Sequence, residues 1–296
     1  MRIIKGAFWV AGMVLLTSVL IIFVHVSSNN FEFSQYNTGW NGTSRFFSDL
    51  DRHRVEHISD PAQITFYHRN ATLLIIAPYH PPPGREISAY RLFLEQGNTV
   101  VIADDFGTAN EILRGIGSSI FILPGNLSSI DRKYPDPNSV VVYPLSNETP
   151  LENVVSVVLN RPAALEGGTP LMRSSALSWI DLNGDGRINN YEMLGAFDVM
   201  ASESVLGGRV VVLSDPSVFI NSMADQGDEG DNRQMIQNLV NRDGPLLVDE
   251  MNSRTRDAEG MGEILHVIKT TLIIKIIIAG VLVLIFAWLW KRKIPG

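Results

Sequence analysis

The sequence predicts an α/β protein with a mostly parallel, doubly wound sheet and a β-rich insertion, flanked by two transmembrane helices. Three observations lead to this prediction. Short apolar runs alternate with amphipathic stretches, as in consecutive βαβ units. One long apolar run lies near each end of the chain. Between these runs, residues 124–206 are rich in Pro, Asn and Ser and contain only short β-type runs, which is typical of an insertion.

The two long apolar runs determine the predicted location. Residues 7–24 and residues 270–290 are each long enough, at 1.5 Å per residue, to cross a bilayer as a helix. Arg2 and Lys5 precede the first run, and the cations of 291–293 follow the second, so the positive-inside rule places both ends in the cytoplasm. The predicted organisation is a cytoplasmic tip and first helix at 1–27, an extracytoplasmic domain at 28–269, a second helix at 270–290 and a cytoplasmic tail at 291–296.

The charge and cysteine counts narrow the classes of function. The segment predicted to lie outside has 18 Lys and Arg against 31 Asp and Glu, a net charge of −13. Such an acidic surface excludes nucleic acid and other polyanions as expected partners. The absence of cysteine excludes a disulfide scaffold and thiolate chemistry. Four glycosylation sequons lie in this segment, and their use is left open: Asn41, Asn70, Asn126 and Asn147.

Apolar runs followed by turn residues predict the strands of the domain. They lie at 73–77, 99–103, 119–123, 209–213 and 246–248, with amphipathic helices at 85–96, 108–114 and 231–241. The strand–helix–strand spacing favours right-handed crossovers, a parallel sheet, and helices on both of its faces.

Acidic residues follow three of these strands. Asp104 and Asp105 follow the strand at 99–103, Asp215 follows the strand at 209–213, and Asp249 and Glu250 end the last strand. Open α/β sheets bind ligands beyond the carboxyl ends of their strands. Asp104, Asp105, Asp215 and Glu250 are therefore predicted to bind a ligand, either a cation or a polyol. The alternative is that these acids cap helices and turns.

The segment from 181 to 192 matches the pattern D-x-[DN]-x-[DN]-G-x5-E at every position. Calcium takes six to eight oxygen ligands, and this pattern presents them at alternating positions. Gly186 allows the sharp turn, and Ile188 is expected to hold the loop to the core. With no second loop to pair with, the prediction is a structural calcium clip; the alternative is a turn without metal. The predicted ligands are Asp181, Asn183, Asp185, Arg187 through its carbonyl, Asn189 and Glu192.

Other catalytic motifs give little support for an enzyme. His53 to His57 match H-x-x-E-H, but the pattern binds zinc only on a helix, and this segment favours a strand. On a strand, residues four apart lie about 13 Å from each other, too far for one zinc ion. Nucleophile-elbow, P-loop and dinucleotide-binding patterns are missing.

Three stretches together resemble a known family: Gly97–Thr108, Gly208–Pro216, and Asp231-Asn232 with Asp249-Glu250. Over residues 36–252 the chain resembles uncharacterised archaeal and bacterial membrane proteins whose external domain is similar to class I glutamine amidotransferases. The resemblance implies an amidotransferase- or flavodoxin-like sheet, and partners that include other membrane proteins and a MoxR-type ATPase. Amidotransferase activity is not implied, because that reaction needs a cysteine nucleophile.

The predicted function is a membrane-anchored, extracytoplasmic and non-catalytic binding or assembly module that contains a structural calcium loop. Its partners are predicted to be the lipid bilayer and other membrane proteins. The alternative is an extracytoplasmic hydrolase or carbohydrate-processing enzyme that uses the carboxylates at the sheet edge.

Overall fold

The computed structural model describes Gly12 and residues 30–50, 55–131, 136–147, 149–224, 230–240 and 244–256. The chain separates into two compact units, one of residues 31–257 and one formed by 1–30 with 258–296. All the elements described below belong to the first unit.

Twelve strands and several short helices build this unit. The strands are β1 Val55–Ile58, β2 Thr72–Ile76, β3 Thr99–Ala103, β4 Phe121–Ser129, β5 Ser139–Pro144, β6 Val157–Asn160, β7 Ala163–Glu166, β8 Thr169–Ser174, β9 Ser178–Asp181, β10 Asp198–Val205, β11 Gly208–Leu213 and β12 Leu246–Asp249. The α-helices are α1 Ser44–Asp49, α2 Pro61–Ile64, α3 Gly84–Glu95, α4 Asn110–Ile116, α5 Asn221–Ala224 and α6 Asn232–Val240, and two 3-10 helices span Pro216–Phe219 and Arg254–Arg256.

Five neighbouring strands run parallel, in the order β1-β12-β2-β3-β11. The residues of β2, β3, β11 and β12 are mostly apolar at consecutive positions because both faces of these strands are covered. The edge strand β1 differs, since its Glu56 and His57 are exposed. In β2, Leu73 and Ile75 face a core that contains α3 and α4. Leu74 and Ile76 face the opposite core, which contains side chains of α1, α6, β5 and β6. One face is thus covered by helices, and the other by short helices together with strands.

The rest of the sheet is antiparallel. β10 runs antiparallel to β11, and the sheet continues through β7 and β4 to β9. A branch leaves β10 through β8 and β5 to β6. Antiparallel neighbours need only short turns between them, which explains why this part of the chain has no crossover helices in the described residues.

The predicted fold class is therefore wrong. The structure has one 12-stranded mixed sheet with few helices, and not a doubly wound parallel sheet. The strand expected to run parallel at 119–123 is part of β4, which is antiparallel to β7 and β9. Residues 124–206, predicted as an insertion, supply most of the antiparallel strands of the same sheet.

The predicted two-pass membrane topology also needs correction. Among the residues that the structure describes, no helix is both long enough and apolar enough to span a bilayer. The runs at 7–24 and 270–290, on which that topology was based, lie outside the described residues except for Gly12. The transmembrane helices, the cytoplasmic ends and the external placement of the domain are not supported by the structure.

Candidate functional site: the carboxyl edge of the parallel strands

The parallel strands bring several acidic side chains to one edge of the sheet. Leu213 of β11 pairs with Ala103 of β3, so the residues two positions further on, Asp215 and Asp105, stand at the same level beyond the sheet. On the other side of β2, the adjacent β12 ends at Asp249 and leads into Glu250. We call this region the carboxyl edge.

Asp104 is buried and holds the turn that follows β3. Its Oδ1 accepts a hydrogen bond from the amide of Phe106 at 3.0 Å, and its Oδ2 accepts one from the amide of Ala109 at 2.8 Å. Burial raises the pKa of Asp104, although the amide hydrogen bonds oppose that rise. The role of this carboxylate is to cap backbone amides.

Asp215 has a similar role at the end of β11. It is fully buried and accepts hydrogen bonds from the amides of Ser217 and Asn160, both at 2.7 Å. Burial raises the pKa of Asp215 to about 6, with the two amides acting in the opposite direction. This carboxylate joins the end of β6 to the 3-10 helix that follows β11.

Glu250 is engaged by side chains from three segments. Its Oε1 accepts a hydrogen bond from Gln35 at 3.2 Å and lies 2.8 Å from Nδ1 of His57, while its Oε2 lies 3.9 Å from Arg256. Burial acts to raise the pKa of Glu250, but His57, Gln35 and Arg256 outweigh it and lower the pKa overall. His57 lies in β1, as the sequence predicts, and His53 lies outside the described residues.

Asp105 is the exception among the predicted ligand-binding residues. Its Oδ1 is buried and has no hydrogen-bond partner in the structure. Burial, followed by the negative charges of Asp215, Asp104 and Glu32, raises the pKa of Asp105 to about 8. The raised pKa favours the protonated form of this carboxyl group.

Two charged residues at this edge were missed by the sequence analysis. The Arg254 guanidinium lies 5.3 Å from the centre of the Phe106 ring and 3.9 Å from the carboxylate of Glu32. Glu32 and Arg254 come from opposite ends of the described chain, and no local pattern marks either of them. Phe106 is 59% exposed. An aromatic residue directly after two acids was the one signal for this contact that the sequence offered.

A buried polar network lies beneath the loop that follows β12. Tyr90 of α3 donates a hydrogen bond to Asp249 at 2.6 Å. The Asn252 amide donates to the Tyr90 hydroxyl at 2.7 Å and to Glu86 at 2.9 Å. Burial raises the pKa of Asp249 to about 6. The network attaches this loop firmly to α3.

The predicted calcium loop begins at the last residue of β9. Both oxygens of Asp181 accept loop amides, those of Gly184 and Gly186, each at 2.7 Å. Glu192 reaches back to the start of the loop and accepts the Leu182 amide at 3.0 Å. Gly186 has a φ of +68°, as the sharp turn requires.

The remaining predicted ligands lie within the same loop. Asp185 accepts the amide of Arg187 at 2.8 Å and the side-chain amide of Asn183 at 3.1 Å. The Asn189 side chain contacts the Arg187 carbonyl at 3.2 Å and Glu192 at 3.4 Å. The structure thus brings all six predicted residues into one hydrogen-bonded loop.

Two features of the loop differ from expectation or limit what it can hold. Ile188 is 45% exposed, so it does not hold the loop to the core as predicted. In the described part of the chain, no group of three or more His, Asp or Glu residues is arranged to hold a metal ion. The predicted calcium ligands also include two asparagine side chains and one backbone carbonyl, which are not among those residue types. Calcium binding by this loop stays a prediction.

Comparison with solved structures gives matches of low similarity. The N-terminal domain of mmIFT52 is 12% identical, with a TM-score of 0.47, over 66% of this chain and 84% of that chain. A β-galactosidase from Bacillus circulans sp. alkalophilus is 11% identical, with a TM-score of 0.35, over 58% of this chain and 22% of that chain. The cytoplasmic protein STM3548 from Salmonella typhimurium is 8% identical, with a TM-score of 0.35, over 61% of this chain and 73% of that chain. No curated protein matches.

These findings overturn the resemblance to membrane proteins with an amidotransferase-like domain. The sheet is not of the doubly wound kind that the resemblance implies, and the family model that matches is a different one. That model matches residues 35–240, which include β2, β3, β11 and the calcium-type loop. The chain belongs to the family described as a domain of unknown function, DUF4350.

Proposed function

We propose that this chain is a non-catalytic binding module whose partner surface is the carboxyl edge of the parallel strands. The observation that supports this proposal is the use of Asp104 and Asp215. Both carboxylates accept short hydrogen bonds from backbone amides and are buried, so they stabilise the scaffold and are not free to act on a substrate. Carboxylates that perform acid–base catalysis need access to a reacting group.

The surface above these buried acids has the composition of a protein-binding site. Phe106 and Tyr79 are 59% and 47% exposed. The Tyr79 amide donates to the Asn252 carbonyl, which places this residue at the same edge, and Arg254 lies over the Phe106 ring. Aromatic residues and arginine dominate the binding energy of protein interfaces because they bury large areas with defined geometry.

Site-specific photocrosslinking tests this proposal with a matched control. A photoreactive phenylalanine analogue in place of Phe106 is expected to capture a discrete protein in the cells that make this chain. The same analogue in place of Phe66 is the control, because Phe66 is 77% exposed and lies in the segment held to the end of α3 by Asn98 and Gln96, at the opposite edge. Capture at neither position, or equally at both, would contradict the proposal.

The identity of the partner is a separate question. A MoxR-type ATPase and other protein partners stay predictions, and the crosslinked species identifies them directly by mass spectrometry. The acidic balance of the chain, 24 Lys and Arg against 31 Asp and Glu, continues to argue against nucleic acid.

We also propose that the loop from 181 to 192 binds calcium as a structural clip. Hydrogen bonds within the loop support this proposal, since Asp181 and Glu192 accept its backbone amides and hold its two ends together. It enters from a strand, β9, and not from the helix of a paired calcium sensor. A strand-anchored loop of this kind restrains its own chain and has no helix pair to open.

A hydrolase remains the second candidate, and one observation favours it. Asp105 is a carboxylic acid with a pKa of about 8, next to Asp215, at the edge where α/β sheets hold their substrates. A carboxylic acid with a raised pKa is suited to protonate a leaving group. A panel of glycoside and ester substrates is the test: turnover by the chain that is abolished in Asp105→Asn would favour the hydrolase over the binding module.

A further inference from the structure

The sheet has three ends at which a strand lacks a second neighbouring strand in the described chain: β1, β9 and β6. Such edges present backbone groups that attract strands of other molecules, and charged side chains or a covering segment disfavour this. On β1 the side chains of Glu56 and His57 are exposed. Against β9, the Gly195 amide donates to the Ser178 carbonyl at 2.8 Å, so another part of the chain covers that strand. The edge of β6 is covered mainly by side chains.

Val158, in the middle of β6, forms two hydrogen bonds with a single side chain. Its amide donates to Asn232 Oδ1 at 2.9 Å, and its carbonyl accepts a hydrogen bond from Asn232 Nδ2 at 2.7 Å. A neighbouring antiparallel strand would offer Val158 the same pair of bonds, one donor and one acceptor from one residue. The carboxamide of Asn232 therefore takes the place of a strand.

The residues two positions before and after Val158 are bonded in a similar way. The Ser156 carbonyl accepts the Asp231 amide at 2.8 Å, and the Ser156 amide donates to Asp231 Oδ2 at 3.3 Å. The Asn160 amide donates to Asp215 Oδ2 at 2.7 Å. Alternate residues of an antiparallel strand bond to opposite sides, so residues 156, 158 and 160 all present these groups on the side away from β5.

The segment before α6 also occupies the space in which a further strand would lie. A Cβ added to Gly230 would lie 3.1 Å from Val158 Cγ2 and 3.5 Å from the Val158 nitrogen, so the backbone of Gly230 packs directly on this edge. Val158 is accordingly 2% exposed. In the described structure, the side chains of Asp231 and Asn232 and the backbone of Gly230 together cover β6.

The sequence of this strand suits pairing with a second copy of itself. Residues 154–159 read Val-Val-Ser-Val-Val-Leu, a short uncharged run rich in β-branched residues, which is the composition that pairs between chains at an open edge. An antiparallel pair with its two-fold axis at Val158 places residue 156 of one copy opposite residue 160 of the other. The groups that would bond in this pair are those now bonded to the covering residues, so the interface is self-complementary.

We propose that Asp231 and Asn232 form an edge block, which prevents two copies of this chain from pairing through β6. Without the carboxamide of Asn232, the amide and carbonyl of Val158 lose their partners, and a buried polar group without a partner is unfavourable. Pairing with β6 of a second copy restores both bonds. The edge block depends neither on the binding surface at the carboxyl edge nor on calcium.

Sedimentation velocity of the full chain tests the edge block. Asn232→Ala is expected to form dimers, seen as a mass twice that of the natural chain, in a proportion that rises with protein concentration. Asn238→Ala is the matched control, because Asn238 lies in the same helix and its side-chain amide also donates two hydrogen bonds to backbone carbonyls, those of Pro150 and Glu152. Since these carbonyls lie outside the strands, the control is expected to keep the mass of the natural chain.

A second substitution shows whether the association uses β6. Adding Val158→Pro to Asn232→Ala removes the outward amide of Val158, and proline is accepted on an edge strand where that amide points away from the neighbouring strand. The mass is expected to return to that of the natural chain. Hydrogen exchange gives an independent measurement: in Asn232→Ala, the amides of residues 156 and 158 are expected to exchange more slowly as protein concentration rises.

Three results would overturn the edge block: a folded Asn232→Ala with the natural mass at every concentration, equal association in Asn238→Ala, or association that persists when Val158→Pro is added. If Asn232→Ala does not fold, Asp231→Ala provides the test, because it keeps Asn232 and removes only the acceptor of the amides at 155 and 156. It is also expected to associate, and a folded Asp231→Ala with the natural mass would then reject the edge block.

Discussion

Calcium is expected to raise the thermal stability of this chain, and Asp185→Ala is expected to lose that response. Asp185 is the most suitable ligand to remove because it is exposed and serves only the loop. The hydrogen bond from the Arg187 amide is the main cause that lowers the pKa of Asp185, and it favours the charged carboxylate. Replacing it costs little in the calcium-free fold, whereas Asp181 and Glu192 also hold backbone amides.

The size of the effect follows from mass action. The weakest class of protein calcium sites has a Kd of about 10⁻⁴–10⁻³ M, and we take this range for a single, unpaired loop. In about 10 mM calcium, roughly 10 to 100 times such a Kd, binding to the folded state contributes about 1.4–2.7 kcal/mol. For a domain of this size, about 1 kcal/mol shifts Tm by roughly 2–4 °C, so the expected increase is about 3–11 °C.

Differential scanning calorimetry with calcium or with a chelator measures this shift. Glu166→Gln is the matched control, because it removes one exposed carboxylate of β7, outside the loop, and is expected to keep the full response. Magnesium is expected to give a smaller increase, since it prefers a compact octahedral shell and retains its water. An unchanged Tm in the natural sequence, or an equal increase in Asp185→Ala, would show that the loop is a turn without metal.

Two further predictions concern the scaffold beneath the carboxyl edge, and a third concerns the opposite edge of the sheet, where β11 begins. Asp215→Ala leaves the buried amide of Ser217 and the partly buried amide of Asn160 without an acceptor. The expected loss of unfolding free energy, measured in urea, is about 1–3 kcal/mol for the Ser217 amide, with a smaller loss for Asn160. Asp215→Asn tests the pH dependence of stability. The pKa of Asp215 rises from 3.8 to about 6 on folding, so the free energy of unfolding falls as the pH increases through this window, by about 3 kcal/mol in total. The variant should show a flatter dependence of stability on pH, and an identical dependence would refute the assignment. Gly208→Ala places a Cβ 2.5 Å from the Asn98 carbonyl, so a lower urea midpoint is expected, and an unchanged one would contradict this geometry.

The central strands β2 and β3 of the parallel section were predictable because they are buried on both faces. The runs at 73–77 and 99–103 are apolar at every or nearly every position, and the structure has β2 at Thr72–Ile76 and β3 at Thr99–Ala103. The amphipathic helix predicted at 85–96 is found as α3, Gly84–Glu95. Local patterns of this kind depend on neighbouring residues alone.

The fold class was wrong because strand direction depends on distant contacts. Phe121 pairs with Glu166 and Leu127 with Ile180, and nothing near residue 121 in the sequence indicates that these partners run antiparallel to it. Residues 124–206 were interpreted as an insertion because their apolar runs are short. Short runs suit strands joined by tight turns, and they join the main sheet through β7, β8 and β10.

The candidate site was predictable only in part, for a similar reason. The position of Asp104 and Asp215 after neighbouring strands was readable, since parallel strands end at one edge. Their use as caps was the alternative that the sequence offered, and the structure has it for both residues. The lack of a partner for Asp105 Oδ1 depends on side-chain geometry that the sequence does not encode locally. Arg254 reaches the site only because the loop after β12 is folded against β2.

The position of β12 has a consequence for how the chain reaches its native state. β12 lies between β1 and β2, although it follows both of them by most of the described sequence. While the chain is being synthesised, the facing edges of β1 and β2 stay unpaired until β12 has left the ribosome. Contacts between such distant segments form slowly, and unpaired apolar strand edges favour aggregation in the meantime. Nascent chains truncated before residue 246 should therefore require chaperones, with the sheet closing only after β12 has emerged.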